Sequence, residues 1–504
     1  MSTPVGPIWP GPSASYDVVV IGGGPAAENA AQYAIAGSAR TAVVVEKELL
    51  GGECSYWACM PSKALLRPVE VLHTARRLPA VASALGSRGL DQAAVFARRD
   101  DYTSHHDDAG QIRWAHGAGI DVVRGVARLR GPREVLVSDN AGEQSVLRAR
   151  AAVVLATGTT AAIPPIPGLA AARPWTSRDA TNLHEVPPRV AIIGSGVVAC
   201  ESATWLNALG AQVTVLGNAD RPLAKNEPFA ADYLRRRWHQ LGITLRDGVR
   251  VTRVARPDAH DTGEGHVHGG TATVWFDDES IEVDEIVVAA GRTPASAELG
   301  LQSIGLADIV KENKGFVPTD EHLTVDTGGP PWLYAVGDLT GKALLTHMGK
   351  YQARIVGAVI AARAAGEPLD GPEFRDRADR DQVPQVTFTD PQVASVGHTE
   401  QSARAAGIAV ETVTYELGAV SGAALLMDDY QGRAKLVIDA TSDTIVGATF
   451  VGPEVAELVH AATIAVVGRV TTAQLWHAVP SYPTASEIWL RLLETLRQQR
   501  RAQR

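Results

Sequence analysis

The chain has 504 residues, 45% of them hydrophobic, and a formal net charge of −9 at pH 7. This length exceeds what a single hydrophobic core supports, so we expect three or four domains. The acidic balance argues against nucleic acid or an anionic membrane surface as a main partner. No apolar run approaches the ~20 residues of a membrane-spanning helix. We recognise no signal peptide, which favours the cytoplasm.

The sequence changes near residue 16 from a segment without periodicity to one that predicts regular secondary structure. Residues 1–15 are rich in Pro, Gly and Ser and predict a flexible tail. Tyr16–Ile21 is a continuous apolar run, as in a strand that is buried on both faces. It leads into a glycine-rich turn. In that turn Gly22 allows a tight bend, Gly24 lets a pyrophosphate approach the backbone, and Ala27 keeps the following helix close to the strand.

An acidic residue stands where this dinucleotide-binding fingerprint needs one. The helix after the turn is predicted to run to about Ile35, and the next apolar strand ends at Glu46. A carboxylate there can accept hydrogen bonds from a ribose. Because strand, turn, helix and acid occur in register, the pattern favours a dinucleotide site over an ordinary glycine turn in an α/β unit.

Two cysteines with four residues between them follow the first fingerprint. Cys54 and Cys59 lie in the sequence LGGECSYWACMPSKALL. Pro61 predicts a helix start, which would lower the pKa of Cys59, and Lys63 adds a positive charge. A zinc site needs four ligands, and the sequence has no second cysteine pair. A purely structural disulfide is unusual in the reducing cytosol, so the pair is interpreted as redox-active.

The fingerprint recurs near residue 190. Gly194, Gly196 and Ala199 repeat the turn, and a helix and the strand QVTVL follow. A repeated fingerprint within one chain predicts two nucleotide sites, and hence two cofactors that meet. No acid follows this second strand, and Arg221 is near enough in sequence to pair with a 2′-phosphate. The second site is therefore expected to favour NADPH over NADH, with the alternative that Asp220 contacts a ribose if the loop is shifted.

Three further buried strands end in short motifs, at Thr157 and Gly158, at Gly291 and Arg292, and at Asp338. After about residue 370 the pattern changes. Alternating segments there indicate an antiparallel sheet with two apolar helices, which suits contact with a second subunit.

Together these motifs resemble the FAD-dependent pyridine nucleotide–disulfide oxidoreductases, the group of glutathione reductase, dihydrolipoamide dehydrogenase and mercuric reductase. The resemblance extends from about residue 15 to residue 496. It rests on GGxCxxxxCxPSK, both fingerprints, the ATG turn, AAGRTP, YAVGD and TDPQVASVG. It implies an α/β fold with two Rossmann-like dinucleotide-binding domains, for FAD and NAD(P), and a C-terminal α+β dimerisation domain. The implied boundaries are a tail over 1–15, an FAD domain over 16–165 and 291–370, an NAD(P) domain over 166–290, and a dimerisation domain over 371–504.

The resemblance also implies roles for individual residues. The residues that would hold FAD are Gly22, Gly24, Glu46, Thr157, Gly158 and Asp338. Further cofactor-binding positions are Ala27, Lys63, Gly291 and Arg292. Those that would hold the pyridine nucleotide are Gly194, Gly196, Ala199 and Arg221. Lys63 and Glu201 match the family's charge pair beside the flavin N5. Electrons would pass from NAD(P)H through the flavin to Cys59 and Cys54, with Cys54 exchanging with the acceptor.

The sequence departs from the family near its C-terminus. Relatives that reduce small disulfides carry a histidine from the other subunit of the homodimer, with a glutamate after it. The matching residues here are Tyr482 and Glu487. A tyrosine, with an ordinary pKa near ~10, is a poor base at neutral pH, where a histidine is a good one. His477 is interpreted as a structural histidine rather than a substitute. The small-molecule electron acceptor therefore stays unidentified.

Other positions leave alternatives open. Tyr56 and Trp57, between the cysteines, fit either core packing or a narrowed substrate entrance. Cys200 is expected to be a small buried residue. The sequence is compatible with three functions. The first is a reductase that works through Cys54 and Cys59, the second is a flavoprotein that reduces a quinone, metal ion or dye directly, and the third is a flavin-loaded sensor without turnover. A dihydrolipoamide dehydrogenase-like activity is a further alternative.

Overall fold

In the computed structural model, short apolar runs form the strands, and alanine-rich or amphipathic segments form the helices. The structure describes residues 6–378 and 382–503. The strands are β1 (Ser13–Ile21), β2 (Ala42–Glu46), β3 (Ile120–Arg124), β4 (Val126–Gly131), β5 (Glu134–Ser138), β6 (Gln144–Leu155), β7 (Thr159–Ala161), β8 (Arg189–Ile193), β9 (Gln212–Leu216), β10 (Thr244–Arg246), β11 (Val251–Ala255), β12 (Ala272–Phe276), β13 (Glu279–Val283), β14 (Glu285–Val288), β15 (Arg292–Pro294), β16 (Leu333–Ala335), β17 (Gln385–Thr387), β18 (Gln392–Gly397), β19 (Val410–Glu416), β20 (Arg433–Asp439) and β21 (Thr444–Gly452).

The helices are α1 (Pro25–Ile35), α2 (Gly52–Tyr56), α3 (Cys59–Arg76), α4 (Pro79–Leu85), α5 (Gln92–Tyr102), α6 (Ala109–Gly117), α7 (Ser177–Thr181), α8 (Val197–Ala208), α9 (Pro228–Leu241), α10 (Ala307–Glu312), α11 (Thr346–Ala365), α12 (Glu400–Ala405), α13 (Ser421–Ala424), α14 (Val459–Val467), α15 (Thr472–Leu475) and α16 (Ile488–Ala502). The described residues divide into two compact units. Within the described chain, no helix has the length and apolar character needed to cross a membrane.

The first unit, the described residues of Met1–Met60, Asp100–Ala161 and Arg292–Asp379, is built around a mixed sheet. Its strand order is β3-β2-β1-β6-β5-β4, with β16 also paired to β6. Strands β3, β2, β1, β6 and β16 run parallel, whereas β4, β5 and β6 are antiparallel.

Both faces of β1 are covered, which explains its continuous apolar sequence. Val18 and Val20 pack in one core with residues of α1 and α11. Val19 and Ile21 pack in a second core with β5, β6 and β16. Because successive side chains of a strand point to opposite faces, both cores need an apolar residue from β1 at alternate positions.

The second unit, the described residues of Pro61–Arg99, Ala162–Gly291 and Arg380–Arg504, contains three sheets. A parallel sheet has the order β10-β9-β8-β14, and α8 and α9 contribute to its core. Strands β11, β12 and β13 form an antiparallel sheet. The third sheet is antiparallel, with the order β17-β18-β21-β20-β19, and α14 and α16 pack in its core.

Three details differ from the sequence predictions. Residues 6–15 are not a flexible tail, because the Ile8 amide donates to the Val122 carbonyl at 2.8 Å and β1 begins at Ser13; residues 1–5 lie outside the described residues. Helix α3 begins at Cys59, two residues before Pro61, since a proline is tolerated in the first turn. Strand β19 was not predicted from the sequence.

A fully buried ion pair lies at the start of β14. Arg256 Nη2 is 2.6 Å from Glu285 Oε1, and Arg256 Nη1 is 3.2 Å from Glu285 Oε2. Both side chains are 0% exposed. The amides of Ile286 and His268 also donate to the carboxylate. A buried charge with this many bonds becomes costly once its partner is removed.

We therefore expect Arg256→Met to destabilise the protein by about 3–5 kcal/mol, since it leaves the Glu285 carboxylate buried and uncompensated. The readout is the midpoint of thermal unfolding. The matched control is Arg246→Met, because Arg246 pairs at 3.8 Å with Glu279 across an exposed surface. That change should cost less than about 1 kcal/mol. Equal losses in the two variants would contradict the assignment.

Candidate active site

The two predicted redox cysteines lie together in the first unit. Cys54 is in α2, Cys59 is the first residue of α3, and both are half-buried thiols. The Cys59 Sγ is 3.3 Å from Thr346 Oγ1, at the start of α11. A hydrogen bond with Cys59 and burial raise the pKa of the Cys54 thiol, and nearby Lys350 opposes this. Cys54 therefore needs a proton acceptor before it can act as a nucleophile.

A glycine pair seats the cysteine-bearing helix on the first fingerprint. Gly51 and Gly52 have φ values of 113° and 58°. The Gly51 amide donates to the Gly23 carbonyl at 2.8 Å. A Cβ added to Gly52 would lie 2.8 Å from the Cα of Gly24, closer than real Cβ atoms approach. Only glycine at position 52 therefore lets the backbone of α2 approach the fingerprint this closely.

The first fingerprint has the form that a dinucleotide requires. Gly22 has a φ of 101°, which favours glycine. A Cβ built on Gly24 would meet nothing within 4 Å, so the space beside the N-terminus of α1 is open. Glu46 Oε2 accepts a hydrogen bond from the Gly23 amide at 2.6 Å. Burial raises the pKa of Glu46, although two backbone amides oppose the shift. These residues fit a pyrophosphate and a ribose.

The ATG turn and the AAGRTP motif form one ribbon, because β7 pairs with β15. Thr157 Oγ1 donates to the carbonyl of Ala295, and Gly158 has a φ of 66°. Gly291, just before β15, has a φ of 136°. The ribbon therefore brings the predicted Thr157, Gly158 and Arg292 into one region.

Two residues that the sequence analysis missed join this region. Thr159 Oγ1 donates to Asp338 Oδ2 at 2.8 Å. Arg292 contacts Thr159 through Nε at 2.5 Å and Glu53 Oε2 through Nη2 at 2.5 Å. Burial raises the pKa of Asp338, and the bond from Thr159 opposes this. Glu53 precedes Cys54 directly, so Arg292 links the cysteine segment to the ribbon; no sequence motif signals this contact.

The predicted Lys63–Glu201 pair is present within the second unit. Lys63 Nζ is 2.8 Å from Glu201 Oε2, and the glutamate side chain is only 5% exposed. Glu201 Oε1 accepts a hydrogen bond from the Phe388 amide at 2.9 Å. Lys63 Nζ also lies 4.9 Å from the centroid of the Phe388 ring. Phe388 is a further residue that sequence reasoning did not assign to the site.

The second fingerprint repeats the geometry of the first. Gly194 has a φ of 119°, a Cβ built on Gly196 would meet nothing within 4 Å, and Ala199 is fully buried. Arg221 Nη1 is 3.1 Å from Asp220 Oδ2, and its Nη2 donates to the Ala224 carbonyl at 3.2 Å. The residues fit a second dinucleotide at the N-terminus of α8.

The predicted C-terminal residues lie in contrasting environments. Tyr482 is 74% exposed. Glu487 is buried, and its Oε1 accepts from Arg491 Nη2 at 2.6 Å. His477 is exposed.

Cys200 is fully buried, its Sγ lies 3.5 Å from the Ser195 carbonyl, and burial raises its pKa. The prediction that Cys200 is a small core residue is confirmed.

The aromatic pair between the cysteines belongs to the core. Tyr56 and Trp57 are 3% and 8% exposed, and the Tyr56 hydroxyl donates to the Leu50 carbonyl. His106 stacks on Trp57 with ring centroids 5.4 Å apart. The rings therefore pack inside the first unit, which favours the packing interpretation over a narrowed entrance.

Glu28 is a buried acid that the sequence analysis did not single out. It lies in α1 and is 8% exposed. Burial raises its pKa to about 7, although Lys350 opposes the shift. Gln111 Nε2 donates to Glu28 Oε1 at 3.5 Å. The charge of Glu28 also acts on Tyr56, which ends the cysteine-bearing helix α2. A carboxyl group that titrates near neutrality can store a proton close to this helix.

Two family models match the chain. The model of pyridine nucleotide-disulphide oxidoreductases matches residues 16–366, and the model of that family's dimerisation domain matches residues 383–492. The chain belongs to the pyridine nucleotide-disulphide oxidoreductases. The predicted family and fold class, two Rossmann-like domains with a C-terminal dimerisation domain, are confirmed. This pyridine nucleotide-disulphide oxidoreductase is an enzyme that uses FAD and a pyridine nucleotide, and its dimerisation domain supports a homodimer.

Relatives of this oxidoreductase differ in their substrates. The dihydrolipoyl dehydrogenase of Chlorobaculum tepidum is 31% identical over 477 residues, which covers 94% of this chain and 96% of the relative. The mercuric reductase of Staphylococcus aureus is also 31% identical over 477 residues, covering 94% and 81%. The HOCl-induced flavoprotein disulfide reductase RclA from Escherichia coli, solved as a Cu(II) complex, and LpdA from Mycobacterium tuberculosis share the fold. Each has a TM-score of 0.79 and 23% identity over 95% of this chain and 99% of the solved one.

The titration of Glu28 makes stability depend on pH. Its folded-state pKa of about 7 lies above its ordinary 4.5. The folded protein therefore binds the extra proton, and stability falls as pH rises from about 4.5 to 7. Glu28→Gln should remove about 3 kcal/mol of that loss. Thermal midpoints at pH 5 and pH 8 measure it, with the exposed Glu367→Gln as control. An unchanged pH dependence in Glu28→Gln would contradict the assignment.

Proposed function

We propose that the chain is an NAD(P)H-dependent reductase that passes electrons to the Cys54–Cys59 pair and from there to a disulfide or another thiol-reactive small molecule. The observation that carries the proposal is the placement of two half-buried thiols in one segment, α2 and the start of α3, which Gly51 and Gly52 hold against the first fingerprint. A dithiol beside a dinucleotide site can be reduced again after each turnover.

Bound FAD supplies the two-electron relay between the reduced nucleotide and the disulfide. Reduction breaks the Cys54–Cys59 bond and adds two electrons and two protons. The Cys54 thiolate then attacks one sulfur of the acceptor disulfide, whose bond breaks, and the departing thiolate takes up a proton. The Cys59 thiolate attacks the Cys54 sulfur, re-forms the protein disulfide and releases the second thiol.

Neighbouring charges support this chemistry. Lys350 lowers the otherwise raised pKa of Cys54 and so favours the attacking thiolate. Lys63 follows Cys59 by one turn of α3, and Glu201 fixes its ammonium group at 2.8 Å. We assign Lys63 and Glu201 the family's role of contacting the flavin.

The remaining assignments concern the nucleotide and the second subunit. NADPH was expected because no acid follows β9 and Arg221 is close, yet Arg221 is already bonded to Asp220. The proposal therefore includes both nucleotides. We further propose that Tyr482 and Glu487 complete the site of the other subunit in the homodimer. Exposure of Tyr482 and the bond that orients Glu487 support this.

A second candidate function is direct reduction of a quinone, metal ion or dye by the flavin. Tyr482 favours it, because at neutral pH a tyrosine is a poorer base than the histidine of relatives that reduce small disulfides. RclA, a protein of the same fold, was solved as a Cu(II) complex, which supports including metal ions among the acceptors to be tested. A dihydrolipoamide dehydrogenase-like activity accords with the relatives but lacks that base.

Cys54→Ser separates these candidates. Turnover with a disulfide acceptor should fall more than roughly a hundredfold, because the attacking thiolate is removed. Reduction of the flavin by NAD(P)H should persist. Cys200→Ser is the matched control, since Cys200 lies in the core. Steady-state rates with disulfide and quinone acceptors provide the measurement; undiminished disulfide turnover in Cys54→Ser would support the direct route instead.

Tyr482→His tests the missing base. If the native acceptor is a disulfide that needs proton transfer, a histidine should raise kcat at pH 7 by roughly a hundredfold, the usual contribution of general acid–base catalysis. Tyr482→Phe controls for loss of the hydroxyl. The pH profile of acceptor reduction is the readout. No gain from histidine would show that the acceptor chemistry does not use this position as a base.

A further inference from the structure

The first fingerprint defines where a ribose-binding acid stands. The Gly22 amide donates to the Val45 carbonyl at 2.9 Å, and Glu46 is the next residue. Gly23 faces that acid closely, since a Cβ added to Gly23 would lie 2.7 Å from the Cβ of Glu46. Glycine in the turn and a large acid at the strand end therefore fit together.

In the second fingerprint the glycine is at the end of the strand and the residue with a side chain is in the turn, the reverse of the first fingerprint. The Gly194 amide donates to the Leu216 carbonyl at 2.9 Å, so Gly217 is the equivalent of Glu46. A Cβ added to Gly217 would lie 2.6 Å from Ser195 Oγ. The serine side chain therefore fills the space that would be needed by any side chain at position 217.

The neighbouring strand supplies a carboxylate at the same place. Strand β10 pairs with β9, and Asp247 is the first residue after β10. The Cβ position of Gly217 lies 3.6 Å from Asp247 Oδ1. A carboxylate thus stands beside the end of β9 although the sequence shows no acid there.

Arg235 fixes this carboxylate through one oxygen only. Arg235 Nε and Nη2 lie 3.0 and 2.7 Å from Asp247 Oδ2. The other oxygen, Oδ1, is buried and has no hydrogen-bond partner among residues 6–378 and 382–503. A buried acceptor without a donor is costly, so it is suited to a ligand that brings one.

The terminal nitrogens of the two nearby arginines are already bonded, although Arg221 Nε is buried without a hydrogen-bond partner in the part of the chain that the structure describes. Arg235 is bonded to Asp247, and Arg221 to Asp220. A 2′-phosphate would bring negative oxygens against Asp247 Oδ1, whereas a 2′-hydroxyl would donate a hydrogen bond to it. The local charges therefore favour a ribose over a phosphorylated ribose.

We propose that Asp247 is the ribose-recognition residue of the second nucleotide site and that it selects NADH over NADPH. The inference rests on the proposed function, because it requires that this site bind a pyridine nucleotide. No acidic residue directly follows β9, and Asp247, which follows the adjoining strand β10, takes the place of the missing acid.

The test is equilibrium binding of NAD⁺ and NADP⁺ to the FAD-loaded enzyme by calorimetry, together with KM and kcat for NADH and NADPH. The wild-type protein should bind NAD⁺ more tightly. Asp247→Asn should weaken NAD⁺ binding roughly tenfold and narrow its preference over NADP⁺, because the charged acceptor is lost. The kcat with saturating NADH should stay unchanged.

Asp232→Asn is the matched control, because this exposed acid also faces Arg235, at 3.8 Å. Should Asp247→Asn fail to fold, the preference of the wild-type protein for NAD⁺ over NADP⁺ is a second measurement that needs no substitution. Tighter binding of NADP⁺ by the wild type, or an unaltered preference in Asp247→Asn, would overturn this inference alone. Failure of both nucleotides to reduce the flavin would overturn the proposed function as well.

Discussion

The close approach of Gly52 to Gly24 is the constraint on which the rest of the site depends. At this point the cysteine-bearing helix rests on the turn that begins α1, with no room for a Cβ at Gly52. Gly24 also leaves the N-terminus of α1 open for a pyrophosphate. One contact between two backbones therefore fixes the dithiol with respect to the first dinucleotide site. The strands beneath it are buried on both faces, so the contact rests on a rigid base.

Much of the fold could be predicted because its signals are local. Glycine turns, continuous apolar strands and alanine-rich helices gave α1 and β9 with the bounds that the structure shows. Strand β19 escaped prediction because only Val413 of its residues is buried, so its alternation of polar and apolar residues is weak. The start of α3 was placed too late because Pro61 fits the third helical position as well as the first.

Site residues that belong to a sequence motif could be predicted. Site residues that come together from segments far apart in sequence could not. Lys63 and Glu201 could be paired because each belongs to a motif of its own, and they lie in contact. Glu28, Phe388 and Asp247 belong to no motif. Their importance comes from burial or from a neighbour far away in sequence. Asp247 in particular is visible only once β10 is known to lie beside β9.

The hydrogen bond from the Phe388 amide to Glu201 joins two parts of the chain that separate family models describe. One model ends at residue 366 and the other begins at 383, so the amide comes from the second while the carboxylate belongs to the first. A fragment that contained both fingerprints but ended between residues 366 and 383 would lack Phe388. The Glu201 carboxylate would then keep its bond to Lys63 but lose the hydrogen bond from the Phe388 amide. The C-terminal domain thus supports the charge pair within its own subunit, in addition to its part in dimerisation.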